Sequence, residues 1–247
     1  MSSRIPVSAR PFAWVILMII LAGCWTAAFA ADPVEGEPNP QDMRLLRNPD
    51  IHGDQIVFVQ AGDLWTVSAQ GGQARRLTSS VGYQSQPKFS PDGSSIAFTA
   101  NYDGNDDIYV VPATGGEPVR LTWHPGYHKV IDWQPDGASV RFQSRRESRT
   151  GRDLQLFTVP VEGGLPSRIV LPTGGLSSYS PDGKKIAYNR ISRENRTWKR
   201  YKGGMAQDVW IYDFEANDTV KATEWEGSDN FPMWHGDTVY YTSDQTG

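Results

Sequence analysis

Ser90-Pro91-Asp92-Gly93-Ser94-Ser95-Ile96-Ala97-Phe98 decides the reading of this chain, because it recurs. It returns as Gln134-Pro135-Asp136-Gly137-Ala138-Ser139-Val140-Arg141-Phe142, and again as Ser180-Pro181-Asp182-Gly183-Lys184-Lys185-Ile186-Ala187-Tyr188. Looser copies are His52-Gly53-Asp54-Gln55-Ile56-Val57-Phe58 and His235-Gly236-Asp237-Thr238-Val239-Tyr240-Tyr241. The copies lie ~40–50 residues apart, the period of blade-type β repeats. Each one encodes a turn followed by a strand. Pro presets φ, Gly takes the positive φ of a tight turn, and an alternating apolar run follows. One such unit cannot bury its own apolar faces, so the units must pack side by side.

Working outward, the second unit predicts strands over 86–90, 94–100, 107–113 and 119–122, with Gly115-Gly116 as a further hairpin turn. The same grammar places strands at 45–51, 55–59, 64–69 and 75–78 in unit one. Unit three takes 130–134, 139–144, 154–161 and 167–171, and unit four 177–180, 185–190, 209–214 and 219–223. Unit five supplies 231–235 and 238–243. The fold class is therefore all-β, a β-propeller of about four and a half blades. The blades span about 45–78, 86–122, 130–171, 177–223 and 231–247, within a propeller region of 44–247. A β-sandwich also has many short strands, but it does not predict the fixed order Pro-Asp-Gly, aromatic strand, Gly-Gly, Leu-Thr. Because the fifth unit breaks off at Gly247, the expectation is an N-terminal piece of a longer protein.

Composition agrees with strands and turns: nine Trp, ten Tyr and nine Phe stand beside 24 Gly and 17 Pro. A net charge of −4 and a pI near 5.6 argue against general nucleic-acid affinity. The first thirty residues differ. Arg4 and Arg10 precede an apolar run, and Ala28-Phe29-Ala30 suits cleavage before Ala31, the layout of a secretory signal peptide over 1–30. Two rivals stay open. Leu21-Ala22-Gly23-Cys24 resembles a lipobox, making a lipoprotein anchored at Cys24, and the uncharged run is about the ~20 residues that an uncleaved anchor helix needs. Residues 31–43 read as an extended linker. The expected location is exported, periplasmic or secreted; without a working signal it would be cytoplasmic. Cys24 is the one cysteine in the sequence, so no intrachain disulfide is expected.

Two longer stretches are more specific. Arg47-Asn48-Pro49-Asp50-Ile51-His52-Gly53-Asp54, continued by Gly62-Asp63-Leu64-Trp65, resembles the opening of tricorn proteases. So does Arg196-Thr197-Trp198-Lys199-Arg200-Tyr201-Lys202-Gly203-Gly204 with Ala206-Gln207-Asp208-Val209-Trp210, and Phe231-Pro232-Met233-Trp234 sits where that family has it. Pro-Asp-Gly blades occur in TolB-type propellers too. The tricorn resemblance implies a six-bladed first propeller of a serine peptidase that trims oligopeptides. It also implies peptides as partners, further C-terminal domains, a homo-oligomeric full-length protein, and catalytic residues beyond this chain. The alternative is a non-enzymatic, TolB-like periplasmic propeller that docks envelope proteins. The best-known tricorn enzymes are cytosolic, whereas this N-terminus suggests export.

No Gly-x-Ser-x-Gly elbow is present, so no catalytic residue is named. His52 and His235 occupy equivalent turn positions before Gly-Asp. Asp103-Gly104-Asn105-Asp106-Asp107 departs from a calcium loop at its sixth and twelfth positions, Ile108 and Thr114. His124 and His128 flank a Pro-Gly loop without a third zinc ligand in view. No cofactor or metal is expected. Trp65, Tyr109, Phe157 and Trp210 read as packing between blades.

The candidate contact residues are basic. In each blade the loop between second and third strands leaves from the same rim. Blade three places Arg145, Arg146, Arg149 and Arg152 there, against Glu147. Blade four places Arg190, Arg193, Arg196, Lys199, Arg200 and Lys202 there, against Glu194, with Trp198 and Tyr201 among them. Arg beside aromatics is the composition of interfaces, so these loops are read as a peptide or assembly contact, with a solvated rim as the bland reading.

Overall fold

A computed structural model describes residues 45–149, 153–191 and 201–246. The signal, anchor and linker readings fall outside these residues, as do Arg152, Arg193, Arg196, Trp198, Lys199 and Arg200.

Eighteen strands are described. Blade one holds β1 (Arg47–His52), β2 (Gln55–Gln60), β3 (Asp63–Ser68) and β4 (Arg75–Arg76). Blade two holds β5 (Tyr83–Phe89), β6 (Ser95–Asn101), β7 (Asp107–Pro112) and β8 (Val119–Arg120). Blade three holds β9 (His128–Trp133), β10 (Ser139–Ser144), β11 (Gln155–Pro160) and β12 (Ser167–Arg168). Blade four holds β13 (Ser177–Tyr179), β14 (Lys185–Asn189), β15 (Val209–Asp213) and β16 (Asp218–Lys221); β17 (Asp229–His235) and β18 (Thr238–Ser243) make a two-stranded fifth sheet. Every sheet is antiparallel and meanders in chain order. The first strands neighbour one another in turn, β1 against β5, β5 against β9, β9 against β13 and β13 against β17.

The core is a series of layers between blades, and the period of two explains it. In β6, Ile96, Phe98 and Ala100 pack with Val57, Val59 and Leu64 of blade one. Ala97, one residue out of phase, joins Val130, Val140, Phe142 and Phe157 of blade three. The next layer sets Ile131 and Leu156 against Ile186, Tyr188 and Tyr212 of blade four. Alternate residues of one strand thus serve two neighbours.

Two departures from the expected strands have physical causes. The fourth strands of blades one and two end early because Leu-Thr leaves the ladder to cap the third strand. Thr122 Oγ1 accepts from Ile108 N at 3.0 Å, and Thr78 Oγ1 accepts from Leu64 N at 3.0 Å. The first strands bulge where a proline cannot donate to the ladder. Asn48, Gln86 and Phe231, each before a proline, adopt φ of 49°, 53° and 57°. The register shifts at those three points.

The repeat turns also touch. Gly93 has a φ of +72°, and a Cβ there would lie 2.3 Å from His52 Nδ1. The His52 ring rests on this turn, its Nε2 3.0 Å from the Pro91 carbonyl. In the following blades Pro91 and Pro135 take the corresponding place, each 3.7 Å from where a Cβ on Gly137 or Gly183 would lie.

Candidate functional site

Meandering antiparallel sheets divide the connections between two faces. The Pro-Asp-Gly and Gly-Gly turns lie on one face. The opposite face carries the loops between second and third strands and the links from each fourth strand to the next blade. These longer connections are where a rigid scaffold carries variable contacts.

The links on this face are built on a repeated junction. In blade two, the buried Asp107 at the start of β7 accepts from Arg120 Nη2 at 2.6 Å, Thr122 Oγ1 at 2.7 Å and Asn105 Nδ2 at 3.0 Å. In blade one, Asp63 accepts from Arg76 and from Gln84 Nε2. Blade four keeps a looser version, Asp208 with Lys221 at 3.0 Å and Thr223 Oγ1 accepting from Val209 N at 3.1 Å. Blade three departs, with Gln155 and Val170 replacing Asp and Thr; Gln155 Oε1 is buried without a hydrogen-bond partner.

Six residues after the Thr of each junction comes a buried side chain that closes it: Gln84 after Thr78, and His128 after Thr122. His128 is 0 % exposed. Its Nδ1 lies 2.9 Å from the Asp106 carbonyl and 3.3 Å from Asp107 Oδ1, and its Nε2 lies 3.1 Å from Arg146 Nη2. The His124 ring meets it edge-on at 5.8 Å between centroids. Burial, the dominant cause, and the nearby Arg146 push the His128 pKa below the ordinary histidine value, against the Asp106 carbonyl and Asp107.

The loop cations are mostly laid on rings. The Arg145 guanidinium lies 5.6 Å from the Tyr127 ring, Arg190 5.0 Å from Trp210, and Lys202 Nζ 5.2 Å from Trp225. Lys202 also pairs with Glu226 at 3.0 Å. Arg146 turns inward over Phe142 and Phe157, at 5.3 and 5.2 Å. Burial holds its pKa below the usual arginine value. Arg149 is exposed, and Tyr201 is half-buried. The structure brings Arg145, Arg146 and Tyr127 together on blade three, and Lys202 with Trp225 at the link from blade four to blade five. Asp103 pairs with Arg120 at 3.0 Å, and Asn105 Nδ2 also donates to the carbonyls of Asp106 and His124. The acidic loop is thereby tied down by its own neighbours.

Sequence reasoning missed two residues. His128 was read only as a weak zinc candidate; its place six residues after Leu-Thr, aligned with Gln84, is the signal that finds it. Arg141 drew no reading of its own within the second copy of the repeat. It stands where other blades have Ala97 and Ala187, is 0 % exposed, and fills the layer facing blade four. Its Nη2 donates to the Ser177 carbonyl at 3.0 Å and to Asp132 Oδ2 at 3.3 Å, with its guanidinium 4.5 Å from the Tyr179 ring.

Comparison with known proteins follows this geometry. A family model for the tricorn protease N-terminal β-propeller domain matches residues 43–247. The chain belongs to that family. It is 29 % identical over 214 residues to tricorn protease homolog 1 of Streptomyces coelicolor, covering 86 % of this chain and 20 % of that protein. The crystal structure of the tricorn protease superposes with a TM-score of 0.72 at 27 % identity, over 82 % of this chain and 20 % of that one. A structure described as TolB from Agrobacterium tumefaciens gives a TM-score of 0.60 at 22 % identity, over 76 % of this chain and 65 % of that one, a likeness of fold. The chain spans about a fifth of the length of the tricorn relatives it matches.

Proposed function

We propose that this chain is part of the first propeller of an exported, tricorn-like serine peptidase that degrades oligopeptides. In this reading the propeller acts as a gate or assembly domain, and its loop face meets peptides or the next domain or subunit. The observation that carries the proposal is the family match, which runs from the first blade to the end of the sequence. Arg145 on Tyr127 and Lys202 on Trp225 support a contact role for the loop face, because Arg and aromatic side chains are enriched in interfaces. Among the described residues no serine hydroxyl is hydrogen-bonded to a histidine, so the proposal places the chemistry elsewhere in the protein.

The test is to express the gene product with whatever reading frame continues past Gly247 and incubate it with fluorogenic oligopeptides. Turnover abolished by a serine-directed phosphonate is expected from that protein, and none from residues 31–247 alone. A frame that stops after a sixth blade, with no turnover, would favour the TolB-like docking protein instead. Arg145→Glu with Arg149→Glu should weaken assembly or peptide turnover at low salt without unfolding the propeller; wild-type size and rate would reduce the face to a wet rim. Mass spectrometry of the mature N-terminus decides among the options: Ala31 marks export with cleavage, a lipidated Cys24 a lipoprotein, and an intact Met1 with membrane retention the uncleaved anchor.

A further inference from the structure

His128 is confined by groups that fix its protonation state. The Asp106 carbonyl at 2.9 Å from Nδ1 can only accept, so Nδ1 carries the hydrogen. The Arg146 guanidinium at 3.1 Å from Nε2 can only donate, so Nε2 must offer its lone pair. The contact between Arg146 and His128 therefore exists only with a neutral imidazole.

We propose that His128 and Arg146 form a proton-operated latch: neutral His128 holds segment 145–149 against blade three, and protonation of His128 releases it.

The surroundings decide which partner moves. His128 lies at the start of β9, is fully enclosed, and has the Phe142 ring edge-on at 5.4 Å. The charged and titratable groups around it come from four elements. Asp107 of β7 faces Nδ1 and is itself neutralised by Arg120 of β8, which also binds Asp103. His124 comes from the link preceding β9, and Arg146 from the loop after β10. Glu147, next to Arg146, is turned toward Arg168 at 3.4 Å. Protonation sets two donors against each other at the Nε2 contact. The imidazolium keeps Nδ1–H on the Asp106 carbonyl beside Asp107, so it stays. Arg146 has the weaker hold: its Nε is buried without an acceptor, its ring contacts are the faces of Phe142 and Phe157, and Glu147 and Asp107 act on it only through their charge. The guanidinium gains water by leaving. The depressed pKa of His128 gives the sign: the latch is closed at neutral pH and opens as pH falls below the ordinary histidine range. In acid the loop face gains a free guanidinium beside Arg145 and Arg149. The proposal is independent of the peptidase reading.

The experiment uses the chain as it stands, uniformly ¹⁵N-labelled. At pH 7.5 the His128 ring shifts should report the Nδ1–H tautomer. On acidification, protection of the Arg146 and Ser148 amides, which donate to Ser144 Oγ at 3.1 Å and to the Arg145 carbonyl at 3.0 Å, should fall up to about tenfold per pH unit after correction for intrinsic exchange, in step with the His128 titration. His128→Gln supplies the residue that blade one has at the same place, Gln84, and should make protection independent of pH. Arg146→Gln should hold protection at its lower, acid level at every pH and raise the His128 midpoint. The Nε2–H tautomer, a charged His128 at pH 7.5, or a wild-type response that survives in His128→Gln would each overturn the latch. If either variant fails to fold, the wild-type tautomer and the coincidence of the two titrations still decide it.

Discussion

Replacing Gly93 with Ala tests whether neighbouring blades touch through their turns. The residue sits at a φ of +72°, where a Cβ costs roughly 1–2 kcal/mol. The new Cβ would also lie 2.3 Å from His52 Nδ1 and 2.6 Å from Cε1, so the ring must leave. Leaving breaks the 3.0 Å contact with the Pro91 carbonyl, a bond worth about 0.5–1.5 kcal/mol net. The total is about 1.5–3.5 kcal/mol. Three controls separate the contributions. Gly53 has a φ of +54° with nothing within 4 Å of its Cβ position, while Gly137 and Gly183 have φ of +70° with a proline carbon at an ordinary 3.7 Å. Their Ala variants should show only the backbone cost, about 1–2 kcal/mol. Urea unfolding read as a midpoint shift at constant slope measures all four. In a His52→Ala background the excess at Gly93 should vanish. The turn-to-turn contact is refuted if Gly93→Ala costs no more than the controls, or if its excess persists without the His52 ring.

Two further outcomes follow from the same framework. Asp92 is held at a pKa of about 2, first by the Ser90 hydroxyl and then by the Ser94 backbone and hydroxyl. Its contribution to stability is therefore complete above the ordinary carboxylate value near 3.8 and is lost as pH falls toward 2. Ser90→Ala should move the Asp92 carboxyl midpoint upward in an NMR titration, and an unmoved midpoint would count against the turn network. Arg120→Ala strands the Asp107 carboxylate, whose side chain is 1 % exposed, and should cost about 3–5 kcal/mol. Lys202→Ala, which breaks a pair whose side chains are 53 % and 73 % exposed, should cost about 0–1 kcal/mol. Equal costs by denaturant unfolding would show that the Asp107 junction is wet.

The repeat, the order of strands and the family were legible in the linear chain, because each rests on contiguous residues. Pro91-Asp92-Gly93 encodes its own turn, and Ile96 and Phe98 alternate with Ala97 over a few positions. That the connections after β10 and β14 leave from one face was legible too, since a meander allows only two sets of connections. What tertiary structure alone decided is where the side chains of that face point. Arg146 reads in sequence as one of the outward-facing candidate contact residues, yet it turns inward onto His128, a residue of a different strand, and onto the Phe142 and Phe157 rings. Arg141, which the repeat pattern alone does not distinguish, is buried against Ser177 and Tyr179 of the next blade. Chain order carries turn chemistry and period because both act within a few residues. Burial, tautomer and ion pairing depend on partners brought together only when one blade packs on another.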